Sequence, residues 1–242
     1  MKKIIFIFYF FFKFLVLTIN PSYGFLGIAL NCDDTVSVAI TAQQTCQDND
    51  TLIVTSAGSI SVNDHKGVDL EDEKGVQITN NGTIETANNS NKQKTIHGQS
   101  SLDTTITNSG TINSDNNEAI YLDYAENVTI TNNSGATISA EGANAIEGRN
   151  IGWCNQPGDN SNCQSTLSVS GSTAVGLILN NYGTISALNN TIWLGSGGEG
   201  KKSRGVKIYN HDGGIIETTS GTDPIIGKFL TDSEIVNYQG AT

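Results

Sequence analysis

One short pattern recurs along this chain and leaves few folds open to it: apolar, any, Asn, any, Gly, Thr, Ile. It reads Ile78-Thr79-Asn80-Asn81-Gly82-Thr83-Ile84, then Ile106-Thr107-Asn108-Ser109-Gly110-Thr111-Ile112, then Leu179-Asn180-Asn181-Tyr182-Gly183-Thr184-Ile185. Two copies are longer by two residues, from Ile130 through Asn132 and Gly135 to Ile138, and from Ile208 through Asn210 and Gly213 to Ile216. A weaker early copy, Val54-Thr55-Ser56-Ala57-Gly58-Ser59-Ile60, has Ser in place of Asn. The glycines at 58, 82, 110, 135, 183, 213 and 240 fall 24 to 30 residues apart, except for one interval of 48 that is expected to hold two periods. A fixed period of this size is the mark of a repeat architecture, in which one unit cannot bury its apolar face alone and stacked units can.

Each unit reads as strands. Ile, Val and Thr dominate, and β-branched side chains suit a pleated, half-buried surface. Val76-Gln77-Ile78-Thr79 and Val128-Thr129-Ile130-Thr131 alternate with the period of two expected of a strand with one face inside. A second motif follows most copies, a small residue or Thr before Ile or Val: Gly67-Val68, Thr95-Ile96, Ala119-Ile120, Ala145-Ile146 and Thr191-Ile192. Each unit of about 25 residues therefore holds about three short strands. The expected fold is an all-β parallel β-helix, a β-solenoid. Stacked in register, Val54, Ile78, Ile106, Ile130, Leu179, Ile208 and Ile235 form one apolar column, and Ile60, Ile84, Ile112, Ile138, Ile185 and Ile216 another. Asn80, Asn108, Asn132, Asn181, Asn210 and Asn237 either hydrogen-bond from coil to coil as an amide ladder or cap their own turns. The Asn and Gly residues are expected to serve the turns by accepting positive φ. A β-sandwich would show strands at even spacing without a fixed repeat.

The N-terminus predicts export. Lys2 and Lys3 precede an apolar run from Ile4 to Phe12, a second run covers Phe14 to Ile19, and Pro21 and Ser22-Tyr23-Gly24 follow. That is the layout of a secretory signal peptide cleaved after Gly24, and Lys13 in its middle argues against a membrane anchor. Residues 1–24 are thus assigned to a signal peptide, 25–50 to an N-terminal cap segment, and 51–242 to the repeats. Removing three lysines and no acid takes the net charge from −11 to −14, which excludes nucleic acid as a partner. The four cysteines form two close pairs, Cys32 with Cys46 and Cys154 with Cys163, expected as disulfides outside the cytoplasm. The last residues, Ser233 to Thr242, follow the long copy of the repeat and stop inside it, so a fragment of a longer protein is expected.

Catalytic signals are sparse. His65, His97 and His211 belong to no metal-binding or nucleophile motif, and no catalytic residue, cofactor or metal site is expected. Gly195-Ser196-Gly197-Gly198-Glu199-Gly200 lacks the Asp of a calcium turn and the Lys-Ser/Thr pair of a phosphate loop, and reads as a projecting loop. The acidic run Asp69-Leu70-Glu71-Asp72-Glu73 is the one candidate cation site, weighed against a solvated charged loop. Trp153 and Tyr182 are candidate exposed aromatics.

The Asn-x-Gly-Thr-Ile repeats, with the N-terminal signal and paired cysteines, make the chain resemble the passenger region of bacterial autotransporters over residues 46–242. The resemblance implies a right-handed β-helix displayed on the surface of a Gram-negative bacterium and carried by an outer-membrane β-barrel translocator, which these residues do not include. It implies a non-catalytic display or adhesion module meeting host or environmental ligands. The alternative is a polysaccharide-cleaving β-helix enzyme, a lyase or hydrolase, because fold does not determine function.

Overall fold

A computed structural model describes residues 30–87, 90–152, 175–195 and 203–242. Among them, every regular element is a strand, and the strands assemble into three parallel sheets of eight, eight and seven members. In each sheet every third strand in sequence is a neighbour, so the chain visits sheets A, B and C in turn and closes one coil after another: a parallel β-solenoid. One coil runs Gln77–Asn80 in sheet B, Thr83–Ala87 in sheet C and Ile96–Gln99 in sheet A. The first described strand is Leu30–Asn31, and residues 30–50 supply strands to all three sheets.

The expected columns are present. Ile78, Ile106, Ile130, Leu179, Ile208 and Ile235 pair in register in sheet B. Ile60, Ile84, Ile112, Ile138, Ile185 and Ile216 do so in sheet C, and Val68, Ile96, Ile120, Ile146 and Ile192 in sheet A. From Ile60 to Ile208 these side chains are fully or almost fully buried and line a single apolar core. Cys32 and Cys46, which follow the paired strands Leu30–Asn31 and Gln44–Thr45 of sheet A, close a buried disulfide between the first two described coils. Cys154 and Cys163 lie outside the described residues, as do the signal segment, Trp153 and residues 196–202.

Between coils runs the amide ladder. Asn80 Nδ2 donates to Asn108 Oδ1 at 2.8 Å, Asn108 to Asn132 at 2.9 Å, Asn132 to Asn181 at 2.9 Å, Asn181 to Asn210 at 2.8 Å and Asn210 to Asn237 at 2.8 Å. Each donor amide through Asn210 also reaches a backbone carbonyl of the following coil, at Thr111, Thr137, Thr184, Ile215 and Thr242. The Oδ1 atoms of Asn80, Asn108 and Asn181 accept the N–H of Gly82, Gly110 and Gly183 in their own turns. Ladder and cap are therefore the same side chain. A buried amide that is satisfied in this way binds coil to coil, and one left unpaired costs about 1–3 kcal/mol.

Four sequence expectations are corrected. The interval of 48 residues is not two periods: Val128–Asn132 pairs directly with Leu177–Asn181, so it is a single coil step lengthened by extra residues. In sequence, residues 153–174 fall between the sheet A strand Ile146–Arg149 and the sheet B strand Leu177–Asn181, and residues 196–202 fall at the same point one coil later. Val54 does not join the column of Ile78. Leu52 pairs with Ile78, and Val54 pairs with Asn80, because four residues, not two, turn the corner after Val54. The amide ladder thus starts at Asn80 with an apolar residue beneath it.

The remaining two corrections concern the glycines. Gly58, Gly82, Gly110 and Gly183 do not need positive φ. They stand where coils approach most closely: a Cβ on Gly82 would come within 2.1 Å of Gly58 O, and one on Gly110 within 2.0 Å of Gly82 O. Gly135, read from sequence as a member of this column, is an inserted residue at φ 79°, and Ala136 takes the column position beside it; Gly213 and Gly214 divide the two roles in the same way. Left-handed backbone in the other corner, between sheets A and B, falls largely on polar residues, Asn49, Asp72, Ser100, Asp103, Asn127, Asn150 and Asp232, with Tyr124 and Phe229 the aromatic exceptions. Asp and Asn tolerate this region because their short side chains bond locally.

Replacing one rung of the ladder strands the partners on both sides. Asn108→Ala is expected to lower stability to urea denaturation by on the order of 3 kcal/mol. Gly110→Ala must push two backbones apart and is expected to cost more than Gly135→Ala, where no atom lies within 4 Å and the penalty is the left-handed conformation, about 1 kcal/mol. Equal losses from the two glycine variants would contradict the close-approach reading.

Candidate functional site

Chemistry concentrates on the outer face of sheet A. Its strands do not alternate buried and exposed as those of sheets B and C do. Register places Asp69, His97, Tyr121, Glu147 and Trp193 in one outward column. Gln99, Asp123, Arg149 and Gly195 form the next, with Glu71 beneath Gln99 through their hydrogen bond. Lys66, Lys94, Glu118 and Asn144 stand in the turns that lead into these strands.

At the lower end, Lys66 Nζ bonds Asp69 at 2.9 Å and Glu71 at 3.1 Å. His97 Nδ1 lies 3.0 Å from Asp69 Oδ1 and 3.8 Å from Glu71 Oε2. Asp69, Glu71 and His97 bring ligand atoms within 4.8 Å of one another, a geometry a divalent cation could use. The ammonium of Lys66 already stands against both carboxylates and is the counterion of this cluster. Burial pushes the Asp69 carboxyl up, but its bonds to His97 and Lys66 outweigh that and hold it below the usual range. The acidic run seen in sequence therefore splits. Asp69 and Glu71 face His97, whereas Glu73 faces Asp48, Asp50 and Asp72, and burial with these neighbours raises its carboxyl.

Above this cluster the side chains stack along the solenoid axis. The His97 and Tyr121 rings are parallel with centroids 5.7 Å apart. Lys94 lies over the Tyr121 ring at 5.0 Å, and Arg149 lies over both Tyr121 at 5.6 Å and Trp193 at 5.7 Å. Arg149 also pairs with Glu147, and Asn144 donates to Glu147 at 2.8 Å. Burial, then the charge of Glu147, pushes the Glu118 carboxyl up to about 7. Burial and the Asp123 carboxylate likewise raise the Tyr121 phenol, and burial raises Asp123.

The outcome is a second, polar packing layer. His97 is 7%, Tyr121 9% and Glu147 4% exposed, so their faces are spent on one another. Sequence reasoning singled out Asp69, Glu71 and His97 separately and missed Glu118, Tyr121, Glu147, Arg149 and Trp193. The signal was there: each column residue directly follows the buried Val or Ile of the sheet A motif. His211 sits in the turn after Asn210, stacked between Tyr182 at 4.0 Å and Tyr238 at 4.9 Å. This second aromatic ladder is exposed at Tyr182 and Tyr238.

Sheets B and C present a different outer surface, rows of hydroxyls in register: Thr79, Thr107 and Thr131 in sheet B, and Thr83, Thr111, Thr137 and Thr184 in sheet C. A groove of about 400 Å³ runs along sheet C between Ser139, Glu141, Ser186 and Thr219. Comparison with known proteins finds no match: no family model, no curated protein and no solved structure aligns with this chain.

If Lys66 is the internal cation of the Asp69–Glu71–His97 cluster, removing it is expected to let the cluster take a metal. In Lys66→Met the two carboxylates and the imidazole lose their internal cation. Millimolar Zn²⁺ is expected to raise the melting temperature of the variant by several degrees and to leave the parent chain unchanged; the same rise in both would show that Lys66 does not fill the place.

Proposed function

We propose that this chain is an exported, non-catalytic display or adhesion module of the autotransporter passenger kind, carried to the surface of a Gram-negative bacterium by an outer-membrane β-barrel translocator supplied from outside these residues. The observation that carries the reading is the sealing of the sheet A face. The groups best able to do chemistry, His97, Glu118, Tyr121, Glu147 and Arg149, are committed to stacking and pairing between coils. A polysaccharide-cleaving site needs carboxyl groups open to substrate, and these are turned to one another.

What the solenoid offers a partner is area. The hydroxyl rows of sheets B and C repeat at the coil spacing of about 4.8 Å and are accessible along their length. Such faces hydrogen-bond extended or repeating partners by many equivalent contacts. The net acidity keeps such a chain soluble and disfavours anionic surfaces as ligands. The basic N-terminus with its apolar run supports export.

Expression of the native gene in a Gram-negative host tests this. Protease added to intact cells is expected to remove the chain, and the mature N-terminus is expected at Phe25. A chain that keeps Met1 and is protected until the cells are lysed overturns the surface reading. Release of unsaturated or reducing sugar ends from pectin-like polymers, abolished by Asp69→Asn, would favour the enzyme instead.

A further inference from the structure

Glu118 and Glu147 are the two acidic groups that the stack buries against each other across a coil boundary. Glu118 stands in the turn that enters Ile120–Asp123, and Glu147 in the strand Ile146–Arg149 stacked upon it. Both are more than nine-tenths buried. Glu118 Oε2 is sealed from water and accepts no hydrogen bond; its nearest cation, Lys94 Nζ, is 3.9 Å away. Glu147 is better provided, holding Arg149 and Asn144. The charges and titratable groups around the pair come from every neighbouring strand: Lys94 and His97 from the coil below, Tyr121 and Asp123 from Glu118's own coil, and Arg149 from the coil above. Trp193 stands in register with Glu147 in the next coil.

Two buried carboxylates with one good cation between them cannot both stay charged without cost. The group with the orphaned oxygen, Glu118, is the one that takes the proton. We propose that Glu118 and Glu147 form a proton-binding seam: one proton held at the pair clamps the Ile120–Asp123 and Ile146–Arg149 coils together, and its loss loosens the solenoid at that boundary. Because each coil touches only its neighbours, the loosening is local and need not melt the stack.

The direction follows from linkage. Glu118 is raised from 4.5 to about 7 in the folded chain, so the folded state binds the proton more tightly than the unfolded one. The stabilisation is complete below the ordinary range of a glutamate and is lost as pH rises toward 7. The seam closes in mild acid and opens under neutral to alkaline conditions.

Hydrogen exchange on the full chain, corrected for the intrinsic pH dependence of exchange, reads this directly. Between pH 5 and pH 8, protection of the segments holding Ile120–Asp123 and Ile146–Arg149 is expected to fall by on the order of tenfold to a hundredfold. Segments around Ile84 and Ile208 should change little. Glu118→Gln is expected to abolish the pH dependence and keep the acid-like protection at pH 8. Glu147→Gln, which removes the opposing charge, should flatten it as well and covers the case in which the first variant fails to fold. Glu73→Gln, another raised carboxyl elsewhere, should leave it intact. Flat protection in the parent chain, or an unchanged slope in either seam variant, overturns the proposal.

Discussion

The amide-to-amide hydrogen bond between successive coils is the interaction on which the rest of this structure depends. A backbone closed into coils has only two ways to fix the register of one coil on the next: apolar side chains, which fit but slide, and polar side chains, which must meet a partner. The buried amides of Asn80, Asn108, Asn132, Asn181 and Asn210 do the second. Shifting any coil by one residue would turn its Asn outward and its neighbour's amide into an unsatisfied group. The isoleucine columns contribute most of the buried apolar area; the asparagines decide which isoleucines meet.

The corners of the coil solve different problems. After each Asn the backbones of consecutive coils pass so closely that a Cβ has no room in the short turn, hence Gly82, Gly110 and Gly183. Where two residues are added, the turn opens enough for Ala136, and the inserted Gly135 takes the left-handed conformation. Between sheets A and B the chain instead reverses through left-handed Asp, Asn and Ser residues. The two longest inserted stretches, 153–174 and 196–202, both fall at that corner in sequence. Extra residues at that point interrupt neither the ladder nor a sheet, since Val128–Asn132 pairs directly with Leu177–Asn181.

The outer face of sheet A shows how stacking converts chemistry into packing. An ordinary solvent-facing strand shows polar residues to water. Here the residues in register are long or planar, and His97, Tyr121, Arg149 and Trp193 cover one another along the axis. Charges introduced among them are desolvated and must be neutralised by a cation close at hand. Lys66 does so for Asp69 and Glu71, Arg149 does so for Glu147, and Glu118 is left with the weakest partner. The proton takes the place that a closer lysine would have filled.

Much of this was legible in the sequence, because the repeat carries its own physics. The period, the β-branched strands, the two isoleucine columns, the coil-to-coil asparagines and the Cys32–Cys46 pair follow from residue type and spacing alone. What the sequence could not decide was local count and contact. Val54 and Gly135 share residue types with the columns they were read into, and only the number of residues in each turn moves them out. The 48-residue interval has the length of two periods, and only strand pairing shows that it is one. The sheet A layer was readable only as a column, since Tyr121 and Glu147 each follow the Ile of the repeated motif; the burial, pairing and proton affinity of Glu118, Tyr121, Glu147 and Arg149 arise only when successive coils set them directly above one another.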